Sequence, residues 1–541
     1  MGINMMTRFK QPLAIALLAA MTACTGGPTA ATPPAPSGIA PQPAGGSILV
    51  GVGDSLTAGY QSGGMLGSIT PVTSPLSAYP GGAVPPGQFS GFFSVMYQQM
   101  LSGVAGPFPN NAEVPILPLI KGPGLGAQIV LNATTLIAGT HASCDAFNQQ
   151  AFSSTAWAGT RLAPTAATLD LGVPGITMHE AVAMTGPLTG PAPLPSCNYV
   201  TIAGDPTSGG LQSLVAGESD TFWPVLGNFQ ASLGAGNVTE LGAAVALKPQ
   251  LATVWLGAND LLKYIFSGGL SPVSDTPTQM AADLTQIVTS LKATGAKVLV
   301  ADLPNVLTTA QFFPQTKFAG DCTTMLVVSG VPLAVAPTYC GGISAALAAN
   351  TSVKYTAGAY LTETGFFAVI SQAGALIKAN PAAPNFAAIS LDPSGPGSGL
   401  GAAYLTPAFA AQVSAVNTAY NTAIDSVATG SGTSVALVPI TTTFNTVATS
   451  GYTVAPGETM TLQFGGGLLS WDGLHPSWTG YAVIANVFIA TADSAFGLTI
   501  PQLTGAQLAG VANGNGGTIP PDPYNPYALK VANPLSPFPF P

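Results

Sequence analysis

A serine, an asparagine and an aspartate–histidine pair stand in this chain where side chains of those types can do chemistry. Ser55 follows the apolar run Ile48-Leu49-Val50-Gly51-Val52 within Gly53-Asp54-Ser55-Leu56. Such a run predicts a buried strand that delivers the serine at its C-terminal tip. Asp472 and His475 lie three residues apart in Trp471-Asp472-Gly473-Leu474-His475-Pro476, and the chain has only three histidines, so a histidine in this setting stands out. A serine hydroxyl attacks a carbonyl carbon only when a base takes its proton. An imidazole, with an unperturbed pKa of about 6.5, accepts and returns a proton near neutrality. A carboxylate one tight turn away fixes its tautomer and stabilises the imidazolium. Asn259 ends a second apolar segment, Val254-Trp255-Leu256-Gly257-Ala258-Asn259-Asp260. Its amide is suited to bind the oxyanion that forms when a carbonyl is attacked.

Taken together, the three segments resemble the GDSL lipase/esterase family, the SGNH hydrolases. That resemblance implies an α/β fold: a three-layer α/β/α flavodoxin-like arrangement with a mainly parallel five-stranded sheet and long loop insertions. It also implies a carboxylic ester hydrolase with Ser55 as nucleophile, His475 as base and Asp472 as its partner. The oxyanion hole would be the backbone N–H of Ser55, the backbone N–H of Gly175 and the side-chain amide of Asn259. Gly175 enters through Leu171-Gly172-Val173-Pro174-Gly175-Ile176-Thr177, which resembles the family's second block, with proline where serine is commoner; Gly172 is the alternative donor. By the same resemblance Asp54 shapes the nucleophile turn and Asp260 is structural. No metal or organic cofactor is implied. Rival motifs are incomplete: Gly51-x-Gly53 lacks the third glycine of a dinucleotide loop, and no Gly-x-Ser-x-Gly surrounds Ser55. His141 and His179 lack metal-ligand spacing and read as surface or packed residues.

The elements that must position these residues are legible as alternating patterns. Strands are predicted at Ile48–Val52, Ala167–Leu171, Leu251–Leu256, Ala296–Leu303 and Ser434–Ile440. Helices are predicted over Gln279–Thr294, Pro407–Ala428 and Gly480–Phe496, the first two with apolar residues at three-to-four spacing. Alternation of this kind predicts a parallel sheet covered on both faces, with ligands bound beyond the carboxyl ends of its strands. Ser55, Gly175 and Asn259 each fall just past such an end. Two intervals are long, Ser55 to Gly175 and Asp302 to Pro407, and read as insertions at about 61–165 and 304–405 that wall the site. In the first, Phe89, Phe92, Phe93, Leu117 and Leu119 are candidates for an apolar acyl site, which would favour fatty-acyl esters. A carbohydrate acetyl-esterase is the alternative enzyme, and a non-catalytic envelope protein is the alternative of another class.

Charged residues make up 6% of the 541 residues and the formal net charge is −9, a balance that disfavours nucleic acid as a partner. Mean hydropathy is +0.43, yet no apolar run reaches the roughly 18 residues of a membrane-spanning helix. Arg8 and Lys10 precede the apolar stretch Leu13 to Met21, as in an export signal over 1–23. Met21-Thr22-Ala23-Cys24 resembles a bacterial lipoprotein box, which implies lipid attachment at Cys24, an envelope location and a membrane as partner; the alternative is an ordinary signal peptide cleaved near Ala23, which leaves a secreted protein. The stretch 24–46 reads as a Pro/Ala/Gly-rich tether, 47–510 as the hydrolase domain, and 511–541 as a Pro/Gly-rich tail. Cys144, Cys197, Cys322 and Cys340 remain, an even number that suggests two disulfides in an exported protein. Three connectivities are open, and sequence proximity favours Cys144–Cys197 and Cys322–Cys340.

Overall fold

Four short runs of aliphatic residues form the parallel sheet at the centre of the computed structural model: β1 (Leu49–Gly53), β2 (Leu251–Trp255), β3 (Lys297–Ala301) and β4 (Val435–Val438). They lie side by side in that order, with Leu49 opposite Leu251, Leu251 opposite Lys297, and Val435 opposite Val298. The structure describes residues 48–61, 64–66, 87–102, 117–120, 124–126, 129–131, 139–141, 155, 157–161, 164, 168–186, 221–266, 269, 275–328, 331–350, 354–391, 403–470, 472–514 and 521–527. The predicted signal segment, the tether, Cys24, Cys144 and Cys197 lie outside those residues.

The expected fifth strand is present only as an edge. Asp170 makes a single parallel bridge to Gly51, supported by Gly51 N–H to Leu169 O and Leu171 N–H to Gly51 O, both 2.9 Å. The segment leaves the sheet at once because Asp170 Oδ1 accepts the Gly172 N–H at 3.1 Å, and Pro174 follows without a donor of its own.

Every residue of β1 and β2 is buried, which requires cover on both faces. Helices Phe92–Ser102 and Trp478–Phe496 pack on one another, and the latter also packs on β3 and β4. A second set, Met178–Ala183, Glu240–Ala246, Pro277–Ala293 and Pro407–Gly430, packs together and against β1, β3 and β4. Helix Pro277–Ala293 buries Met280, Leu284, Ile287, Val288 and Leu291, the stripe its spacing predicts. Thr276 and Thr406 cap their helices by accepting the N–H three residues on, each with proline at the first position, where no N–H is needed.

The second long interval is more than a loop. Its strands Phe312–Pro314, Tyr360–Thr362 and Tyr404–Leu405 form an antiparallel sheet with the middle strand at the centre. Helices Phe318–Val328, Ala336–Ala349 and Glu363–Ala379 close over a separate core in which Phe313 stacks on Phe366 at 4.0 Å. Cys322 and Cys340 are bonded, as proximity suggested, and link the first two of these helices. The first two of these helices, rich in small residues, carry no clear stripe like that of Pro277–Ala293.

Two further expectations are corrected. Phe92, Phe93, Leu117 and Leu119 are core residues, Phe92 lying between Trp255 and Phe488, and Phe89 packs against the same core; they build no acyl site. The domain boundary expected at 510 falls inside helix Gly505–Asn513, and residues 522–526 beyond it are buried. Buried Asp522 accepts both the N–H and the hydroxyl of Thr479, at 2.8 and 2.7 Å, and Asn525 donates to Ala512 O at 2.7 Å. Among the described residues no helix is long and apolar enough to cross a membrane.

Candidate active site

The chain reverses immediately after β1, and Ser55 sits in that turn. Ala58 N–H reaches back to Asp54 O at 3.1 Å and Tyr60 N–H to Ser55 O at 2.9 Å. The turn is too tight for a side chain at Gly53, where a Cβ would stand 1.9 Å from Thr57 Oγ1. Gly172 is needed from the neighbouring segment for the same reason, since its Cβ would lie 2.6 Å from Ala58 N.

Asp472 and His475 share one closed loop. Ser470 N–H donates to His475 O at 2.8 Å, Gly473 N–H donates to Ser470 O at 3.0 Å, and Ser477 then caps helix Trp478–Phe496. Within the loop Asp472 Oδ1 accepts the N–H groups of Leu474 and His475 and the Ser470 hydroxyl, at 3.0, 2.9 and 3.1 Å. Its Oδ2 faces His475 Nδ1 at 2.8 Å, and His475 Nε2 faces Ser55 Oγ at 2.8 Å. Burial pushes the Asp472 carboxyl up, but the facing imidazole and the loop N–H groups more than offset it, and its pKa lies below the usual value. An ionised Asp472 places the ring proton on Nδ1, which leaves Nε2 as an acceptor for the serine proton. Tyr60 packs on the imidazole with ring centres 4.7 Å apart, and its carbonyl is held by the buried Tyr481 hydroxyl at 2.8 Å.

Asn259 follows β2 and joins two of the predicted oxyanion elements. Its Nδ2 donates to Ile176 O at 3.0 Å and to Asp54 Oδ2 at 3.2 Å. The turn carrying Gly175, which has φ +90°, is thereby tied to the nucleophile turn. Between the two glycine candidates, hydrogen bonding decides. The Gly172 N–H is committed to Asp170, whereas among the described residues the N–H groups of Gly175 and Ser55 have no partner.

Ser55, His475 and Asn259 line a cavity of about 40 Å3 whose walls are mainly apolar: Leu261 and Leu262 after β2, Leu303 and Val306 after β3, and Phe444. None of the five residues expected to form an acyl site lines it.

Several buried carboxyls lie behind the site, and of these sequence reasoning named only Asp54. Asp54 is pushed up to about 7 by burial, partly offset by the Leu56 N–H and by His475. Glu240 accepts the Gly53 N–H and, like Asp170, is raised well above the ordinary range by burial. Glu240 opens a helix after Thr239 and so reads as a routine helix start. Glu363, from the second insertion, is raised by burial and then by the charge of Asp472. Gln311 connects the two: its side-chain NH2, oriented to satisfy its neighbours, donates to Asp472 O at 2.8 Å and Glu363 Oε2 at 3.2 Å. Its backbone N–H donates to Gly473 O at 2.9 Å. The insertion is thus docked directly onto the catalytic loop.

The residues expected to be structural fit that role. Asp260 accepts the Met178 N–H at 3.1 Å, and His179 faces Asp283 at 3.1 Å with half its side chain exposed. His141 ends a short strand paired with Ile129–Leu131. No family model, curated protein or solved structure matches the chain.

Proposed function

We propose that this protein is a serine ester hydrolase of the GDSL type, built on the three-layer flavodoxin-like SGNH plan, that cleaves carboxylic esters through an acyl-enzyme on Ser55. The carrying observation is the unbroken chain Ser55–His475–Asp472, with both contacts at 2.8 Å, beside a mainly apolar cavity. The segment at 168–173 next to β1 supplies the edge position that a fifth strand takes in that plan.

In the proposed reaction His475 Nε2 takes the Ser55 proton as Oγ attacks the ester carbonyl. Asp472 stabilises the resulting imidazolium, which returns the proton to the departing alcohol. Water then repeats the sequence on the acyl-enzyme, again with His475 as base. The oxyanion is received by the N–H groups of Ser55 and Gly175 and by Asn259, with each donor contributing about 3–4 kcal/mol. Asn259 can turn one amide hydrogen toward the oxyanion from Asp54, the longer of its two present bonds.

The lining supports an acyl or alkyl group rather than a sugar ring in the cavity. Its volume of about 40 Å3 equals roughly three water molecules, which fits a short chain and leaves longer fatty chains to extend outward. A degenerate, non-catalytic protein would have no reason to keep the serine proton aligned on the imidazole. Export and a lipid anchor at Cys24 belong to the same proposal; Cys24→Ala should then release the protein from the membrane fraction.

A fluorophosphonate probe should label the wild-type protein and leave Ser55→Ala unlabelled. Absence of labelling across the pH range in which the protein stays folded would reject the hydrolase. A p-nitrophenyl ester series from acetate to palmitate should peak at short chains, and a peak at palmitate would reject the short-chain reading.

A further inference from the structure

Helix Pro407–Gly430 presents two asparagines one turn apart, and their surroundings differ sharply. Asn421 is fully knit into the protein: its Nδ2 donates to Leu303 O at 2.9 Å, and its Oδ1 accepts the Leu303 N–H at 2.8 Å. Asn417 lies on the buried face with Val413 and Tyr420 and is 6% exposed. Among the described residues its Nδ2 is buried with no hydrogen-bond partner, yet the residue lines the cavity that Ser55 and His475 share. The nearby Thr309 hydroxyl is already spent on Val306 O at 2.7 Å.

A buried amide hydrogen without an acceptor costs about 1–3 kcal/mol. Leucine would fill that space without the cost, and leucines already make up much of the wall. An amide kept there therefore has a use when the cavity is filled. We infer that Asn417 is a substrate-binding residue, and that the group seated in this cavity is a short aliphatic chain bearing one hydroxyl oxygen. This inference rests on the proposed hydrolase reading and adds its substrate class. A hydroxyl is the matching group because it both donates and accepts, so either end of the Asn417 amide can bind it. The hydroxyl can belong to the acyl part of the ester or to its alcohol part.

Two substrate pairs distinguish these sources: p-nitrophenyl 3-hydroxybutyrate against p-nitrophenyl butyrate, and 2-hydroxyethyl butyrate against propyl butyrate. The wild-type protein should favour the hydroxylated member of one pair by about tenfold or more in kcat/KM, the scale of one well-placed hydrogen bond. Asn417→Leu should erase that preference by lowering kcat/KM for the hydroxylated ester more than for the plain ester, so that the ratio within the pair falls to about one. Asn417→Ala should erase it too, which guards against a packing fault peculiar to leucine. Fluorophosphonate labelling at Ser55 verifies that each variant is folded. Equal rates within both pairs in the wild type, or a preference that survives both substitutions, would overturn the inference while leaving the hydrolase reading intact. Failure of that reading looks different, with no label on Ser55 and no ester hydrolysed at all, and the inference then falls with it.

Discussion

Replacing Asp54 with asparagine should flatten the pH dependence of folding stability. Asp54 is 1% exposed, accepts the Leu56 N–H and the Asn259 amide, and its pKa rises from 3.8 to about 7 on burial. Folding therefore takes up a proton at this carboxyl across that interval. The unfolded chain binds fewer protons there, so stability falls as pH rises through the window. A tenfold change in proton affinity is worth about 1.4 kcal/mol, which makes the full effect about 4 kcal/mol above the folded-state pKa. Between about pH 5 and about pH 8 the same linkage gives a loss of roughly 3 kcal/mol. The amide of Asp54→Asn cannot titrate, and the substitution removes that loss. Glu240 and Asp170 titrate in both proteins, so the difference between the two pH slopes reports Asp54 together with the effect of its charge on Glu240. Urea denaturation of the wild type and of Asp54→Asn at both pH values measures it. Parallel slopes would mean that Asp54 is already ionised in the folded protein, and the desolvation argument for the carboxyls beneath β1 would fail.

Burial and the charge of Asp472 both favour the neutral form of Glu363, so Glu363→Gln should keep near wild-type kcat, while Glu363→Ala should lower kcat about fivefold as Gln311 loses its support; the reverse order in steady-state kinetics would show that the charge, not the hydrogen bond, matters. Gly473 has φ +65°, and a Cβ there would lie 2.8 Å from Ala310 C and 2.9 Å from Gln311 N. Gly473→Ala should therefore shift the catalytic loop and cut kcat on the order of 100-fold, and an unchanged kcat would show that the docking does not constrain the loop. The Cys322–Cys340 bond closes an 18-residue separation, and its loss through Cys322→Ser with Cys340→Ser should cost about 3 kcal/mol of stability. A melting temperature that ignores both the substitutions and added reductant would contradict this.

The candidate catalytic residues were legible because their types are scarce or oddly placed: one histidine of three behind an aspartate, and a serine and an asparagine each ending an apolar run. The helices Pro277–Ala293 and Pro407–Gly430 were legible for the opposite reason, a regular stripe against polar neighbours. What escaped was fixed by tertiary packing. The segment at 168–171 looks as strand-like as β1, but Asp170, Gly172 and Pro174 turn it away after one bridge. The aromatic residues near 89–93 suggested a pocket, but residues that large also fill cores, and here Phe92 lies against Trp255 and Phe488. The cavity wall draws on segments near 261, 303 and 444, which no local pattern relates. Asn417 did leave a trace, a polar interruption in the stripe Val413, Val416, Tyr420. Read alone, such a break looks like a solvent-facing position.

The bond between Ser55 and His475 joins residues 420 positions apart. Closing so long a separation costs only modestly more than closing a shorter one, but it requires both segments to be in place. A chain emerging from synthesis carries Ser55 long before His475, so no chain made only as far as residue 474 can hold the Ser55–His475 contact. Chemical competence thus becomes a report on completion. A protein arranged this way would stay unreactive at Ser55 until the segments carrying Ser55 and His475 have come together.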